Sequence, residues 1–107
     1  MSIAVEVEHL GEEMQRFGAT AFVLTTSDDG RAHISHVTVT HDRGVLSCTV
    51  GGRSAGNARA RPSIAVLWPP SATDGYSLIV DADAEVDGSE LRLTPTKAVL
   101  HRPAPAQ

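Results

Sequence analysis

Thr49-Val50-Gly51-Gly52-Arg53-Ser54-Ala55-Gly56-Asn57-Ala58-Arg59-Ala60-Arg61-Pro62 holds three of the nine basic residues of a 107-residue chain whose formal net charge is −4. Between Asp42 and Asp74 the sequence has no carboxylate, and that window carries Arg43, Arg53, Arg59 and Arg61. A basic window in an acidic chain concentrates anions. Glycines and Ser54 lead into a short segment of helix-forming composition that Pro62 ends. Ser54 reads as an N-cap, and a helix start approached through glycine offers unpaired N–H groups to a phosphate. The plain alternative is a loop and one helical turn with solvated arginines.

Working outward, the flanking chain reads as short strands. Ala21–Thr26 is rich in β-formers and is followed by Ser27-Asp28-Asp29-Gly30, a strong hairpin signal. In Ala32–Thr40, Ile34 falls out of phase with Val37 and Val39, which predicts a bulge near Ser35-His36 or a strand buried on both faces. A turn at His41-Asp42-Arg43-Gly44 leads to Val45–Val50. Beyond Pro62, the apolar run Ser63–Trp68 predicts a central strand. Ser77–Val86 alternates strictly, with Leu78, Val80, Ala82, Ala84 and Val86 on one face and Asp81, Asp83 and Glu85 on a solvated one. Asp87-Gly88 turns it into Leu91–Thr94. Residues 96–107 read as a loosely ordered tail with a weak Ala98-Val99-Leu100 element. At the other end, Val7, Leu10, Met14 and Phe17 form a helical stripe within Ser2–Phe17, with Gly18 as its C-cap. The expected fold is mainly β: a small antiparallel barrel of about six strands, an N-terminal helix and one short helix, in a single domain over residues 1–107.

Composition narrows the function classes. The net charge argues against general nucleic-acid binding. One cysteine, Cys48, excludes an internal disulfide and any multi-cysteine zinc site, and it reads as a small buried apolar residue. His33, His36 and His41 fall on mixed strand faces, so no metal site is expected. No apolar run approaches the ~18 residues of a membrane helix. With no signal-peptide pattern, a cytoplasmic protein without membrane contact is expected. Strand histidines read first as surface or hydrogen-bonded residues; the frequent use of imidazole as a general acid or base is what argues for proton transfer at His33 or His36. No catalytic residue is assigned.

Taken in order, the Asp29-Gly30-Arg31 hairpin, Ala32–Val37, Arg53–Leu67 and Val80–Val86 resemble the pyridoxamine 5′-phosphate oxidase-like, FMN-binding split-barrel family. The likeness implies a split β-barrel and a homodimer with cofactor sites at the subunit interface. It also implies FMN as cofactor, with deazaflavin, FAD or haem as alternatives, and oxidoreduction of a small organic substrate. Carried over, it puts Thr49, Arg53, Ser54 and Asn57 around the cofactor phosphate and the backbone of Ser35, His36, Val37 and Thr38 against the ring. Trp68 is expected to line the pocket. Many members carry Arg-Lys before the asparagine; here the lysine position is Ser54, and Arg59 or Arg61 is the expected compensation. A split-barrel dimer without turnover, storing a flavin or haem or binding no cofactor, is the alternative.

Overall fold

The longest pairing in the molecule is a hairpin of two late strands, β7 (Ser77–Asp87) and β8 (Glu90–His101). Asp87 pairs with Glu90, so Gly88 and Ser89 form a two-residue turn, with Gly88 at φ +61°. The computed structural model describes residues 1–104. Among them the other strands are β1 (Ser2–Val5), β2 (Thr20–Thr26), β3 (Ala32–Thr38), β4 (Thr40–Asp42), β5 (Val45–Thr49) and β6 (Ser63–Trp68). All pairings are antiparallel, in the order β3-β2-β6-β7-β8-β5-β4, with β1 added on β8. The sheet curls without closing, because β3 and β4 remain its two ends. This is a mainly β split barrel. Two helices complete it, α1 (Leu10–Phe17) and α2 (Gly52–Ala60).

Two further hairpins follow from local chemistry. Ser27 N–H donates to the Arg31 carbonyl, and Gly30 at φ +85° completes a three-residue loop. The β4–β5 turn is Arg43-Gly44, both at positive φ, as a two-residue loop matched to strand twist requires. The interior alternates as read: Leu78, Val80 and Ala82 are buried beside Val66 and Leu93, while Asp81, Asp83 and Glu85 are exposed.

Several expectations are corrected. There are eight strands among the described residues, where about six were expected. The N-terminal segment opens with β1, paired to Val99 and its neighbours, and α1 begins only at Leu10. Half of the supposed tail is strand: β8 continues to His101, and residues 105–107 lie outside the described ones. Its outer half was obscured by Pro95, which interrupts the alternation. The irregularity expected at Ser35-His36 is also absent there, since β2 and β3 pair without interruption from Thr20–Thr38 to Thr26–Ala32. It lies instead between Asp81 and Ala82, opposite Pro95 and Lys97, with Thr96 as the extra residue donating its hydroxyl to the Asp81 carbonyl at 3.2 Å. Ile34 was out of phase because it sits on the outer face, 59% exposed.

Trp68 anchors the core. It is fully buried, and its indole N–H donates to the Gly18 carbonyl at 3.0 Å, tying β6 to the end of α1. Among the described residues no helix is long and apolar enough to cross a membrane. Trp68→Phe removes this bond and leaves a void, so unfolding free energy should drop by about 1–3 kcal/mol in urea denaturation. An unchanged midpoint would show that the indole is not holding α1.

Candidate functional site

The helix α2 that the basic stretch forms is anchored by small and polar residues. Ser54, Ala55, Asn57 and Ala58 are its buried positions, and it packs on β2 and β7. The N-cap is Gly51, three residues before Ser54, where it was expected. Ser54 faces inward, 2% exposed, and its hydroxyl lies 2.6 Å from that of Ser35 on β3. The hydroxyl is therefore committed to the fold. Asn57 is likewise turned inward; its side-chain amide donates to Thr25 Oγ1 at 3.2 Å and Ser27 Oγ at 3.4 Å. These contacts fasten α2 against the β2–β3 hairpin.

The arginines divide sharply. Arg61 donates from Nε to the Thr26 carbonyl and from Nη2 to Asp28, each at 2.7 Å, and Arg59 donates to the Gly88 carbonyl at 3.3 Å. Neither is left to replace the missing lysine. Arg53 is exposed and has no hydrogen-bonding or ionic partner among the described residues. It lines a cleft of about 420 Å³ with Ser27, Asp28, Asp29 and Asn57. The window that lacks carboxylates in sequence thus meets two of them in space. A Cβ added at Gly51 or Gly52 would meet nothing within 4 Å, so the approach to the first turn of α2 is open.

The remaining expected residues fall elsewhere. Thr49 and Thr38 share a second, smaller cleft of about 170 Å³ with Thr40, Ser47, Cys48 and Glu90. His36 and Val37 border a third with Thr20 and Thr38. Val37 itself points into the core, whereas His36 is exposed and stacks on Phe22, ring centroids 4.8 Å apart. Because β3 ends the sheet, one row of its backbone groups between Ser35 and Thr38 has no strand partner. Trp68 belongs to neither cleft; its place is the core. Ser35 and Ser54 are hydrogen-bonded to each other, Arg53 and Asn57 line one cleft, and Thr49 lines another.

A concavity of about 550 Å³ contains none of the expected residues. It is an open groove on the outer face of β2, β6 and β7, lined by Leu24, Ala65, Asp81 and Asp83 among others. Sequence reasoning passed over it because its lining alternates with core residues on three separate strands. Among the described residues no three His, Cys, Asp or Glu side chains are placed to hold a metal ion.

Comparison with known proteins supports the fold. No family model matches the chain. Two proteins described as uncharacterized, from Mycobacterium bovis and Mycobacterium tuberculosis, are each 40% identical to it over 62 residues, 51% of this chain and 44% of theirs. The match spans less than half the length of these curated relatives. Among solved structures, an F420 reductase superposes with TM-score 0.68 at 14% identity, over 81% of this chain and 94% of its own. A FAD-binding protein from Mesorhizobium loti gives 0.70 at 10% identity, over 92% and 94%. A Clostridium acetobutylicum protein of the pyridoxinephosphate oxidase family gives 0.68 at 15% identity, over 92% and 91%. The chain has the split-barrel fold of pyridoxamine 5′-phosphate oxidase-like proteins.

Cys48, at the back of the second cleft, is 5% exposed, and burial, with a smaller push from Glu90, raises its thiol to about 11 from an ordinary 9.0. The unfolded chain then releases this proton at lower pH than the folded one. The stabilisation is complete below about pH 9 and is lost as pH rises through 11. Urea midpoints of the protein should therefore fall more steeply from pH 9 to 11 than those of Cys48→Ala. Parallel curves for the two proteins would disprove it.

Proposed function

We propose that this chain binds a flavin-type cofactor, FMN or a deazaflavin in the first instance, and uses it to reduce a small organic substrate. The observation that carries the reading is Arg53, a cation without a partner among the described residues, standing in a cleft at the open start of α2. A guanidinium there suits a phosphate, because its planar donors match phosphate oxygens and its charge is uncompensated. The first-turn N–H groups of α2, reached past Gly51 and Gly52, add donors of the same polarity. Asn57 and Ser54 contribute by rigidity: they hold α2 against β2 and β3 and so fix where Arg53 emerges.

The cofactor, when bound, supplies the redox chemistry from its ring. The chain's task is orientation. The unpaired row of β3 backbone from Ser35 to Thr38 offers alternating donors and acceptors to a planar heterocycle. Thr38 and Thr49 offer hydroxyls at the neighbouring cleft. The fold shared with an F420 reductase and a FAD-binding protein supports a flavin-type ligand over other phosphate compounds. The commitment of Ser54 to Ser35 favours a weaker phosphate grip, and with it the second reading, a binding or storage dimer without turnover. Substrate reduction by the reconstituted protein separates the two.

A homodimer belongs to the same proposal. On the outer face, Ile34, Leu24, Phe22, Leu67 and Ile79 lie on neighbouring strands β3, β2, β6 and β7, brought side by side by their register. Ile34 is 59% exposed at one edge of this apolar surface. A second copy would cover it and bring two clefts near one interface.

Two measurements test these proposals. Titration with FMN, FAD, deazaflavin and haem should find a ligand bound tighter than ~100 μM. Arg53→Ala should weaken it roughly ten- to a hundredfold, with Ser54→Ala losing stability but not affinity. Equal affinity in Arg53→Ala would remove the phosphate assignment. In sedimentation the protein should run as a dimer and Ile34→Asp as a folded monomer; a monomeric parent protein would remove the interface.

A further inference from the structure

Gly11 stands in the first turn of α1, where glycine weakens a helix relative to alanine. The space left by its missing side chain is taken by the imidazole of His41 from β4. A Cβ added at Gly11 would stand 2.9 Å from His41 Cε1 and 3.2 Å from its Nδ1, too close for packed atoms. His41 is exposed and makes no side-chain hydrogen bond or ion pair among the described residues, so its polar atoms do not fasten β4 to α1. What the pair does form is one wall of a pocket of about 280 Å³ between the two elements. Buried Met14 and Val39 give this pocket an apolar part. The His41 ring and the Gln15 carboxamide give it a polar one, and Gln15 too has no side-chain hydrogen bond among the described residues. The pocket shares no residue with the clefts at Arg53, Thr49 or His36.

We infer that this pocket binds a small uncharged aromatic molecule bearing a hydroxyl or N–H, of the phenol or indole class. The inference does not depend on the cofactor reading above. Size sets the first limit: the volume equals the liquid share of about nine waters, room for one ring or a fused pair. Charge sets the second. No lining residue is an aspartate, glutamate, lysine or arginine, so a charged ligand would lose hydration and gain no counter-ion. The third limit is the kind of surface offered. A thioether and an imidazole both make favourable contacts with an aromatic ring, whereas a saturated ring of the same size gains burial alone. The free acceptors on His41 and Gln15 then take the ligand's hydroxyl or N–H and fix its orientation.

The fold supplies its own reporter. Gly18, which lines the pocket, accepts the indole N–H of Trp68 at 3.0 Å, and the chain has a single tryptophan. Amide NMR spectra of the full chain are recorded while phenol, cyclohexanol or benzoate is added. Phenol should move the indole N–H signal and the Gly11, Gly18 and Ala19 amides, saturating with a dissociation constant of about 1 mM or tighter. Cyclohexanol and benzoate should each bind roughly threefold or more weakly. His41→Ala should weaken phenol by a similar factor with the rest of the spectrum unchanged. Gly11→Ala should do the same by displacing the ring, and it favours the helix, so its loss of affinity cannot come from unfolding α1. No saturation by ~10 mM phenol, or shifts confined to another part of the chain, overturns the site. Equal binding of cyclohexanol or benzoate overturns the ligand class, and unchanged affinity in both variants overturns the role of the Gly11–His41 wall.

Discussion

β8 is the strand on which the rest of the structure depends. Along its whole length it pairs with β7; its first four residues also pair with β5 and its last four with β1. Between the stretches that pair with β5 and β1 lies the extra residue Thr96 beside Pro95, and a bulge of this kind bends the strand that carries it. Proline cannot donate a ladder bond, so a bulge is where it is tolerated. β5, on the other edge of β8, leads into α2, which packs on β2 and β7.

The second constraint is how α2 is held. A helix of glycine, alanine, serine and asparagine has little apolar area to bury, so hydrophobic attachment alone would be weak. Polar contacts fix it in its place: Ser54 to Ser35, Asn57 to Thr25 and Ser27, Arg61 to Thr26 and Asp28. Each satisfies a group that the helix or hairpin would otherwise leave unpaired, which costs more than the bond itself gains. No buried side-chain nitrogen or oxygen among the described residues lacks a partner. Residues resembling a ligand-binding motif are in good part the fastening of the element that carries it. Arg53 is what remains.

The two faces of the sheet divide the work. The inner face, with Leu78, Leu91, Leu93, Val66, Val80 and Trp68, forms the core. The outer face is apolar toward β3 and acidic toward β7, an arrangement a single copy leaves exposed at Ile34 and open in the groove beside Leu24 and Ala65. The core accounts for the stability of one chain, and the outer face for the expectation of a second.

The sequence by itself determined most strands, the hairpin turns at Gly30, Gly44 and Gly88, the helical segment ended by Pro62, and the solvated row of Asp81, Asp83 and Glu85. All are local properties: alternation, turn chemistry and a proline act within a few residues. Only the tertiary structure decided that residues 96–101 are strand and that Trp68 belongs to the core. It also decided that Ser54 and Asn57 face inward and that, among the described residues, Arg53 alone of the three arginines in the stretch has no hydrogen-bonding or ionic partner. Those outcomes depend on residues far apart in the chain, Asp28 against Arg61 and Gly18 against Trp68. Charge and hydrogen bonding are settled by who arrives next to whom, and periodicity carries no record of that.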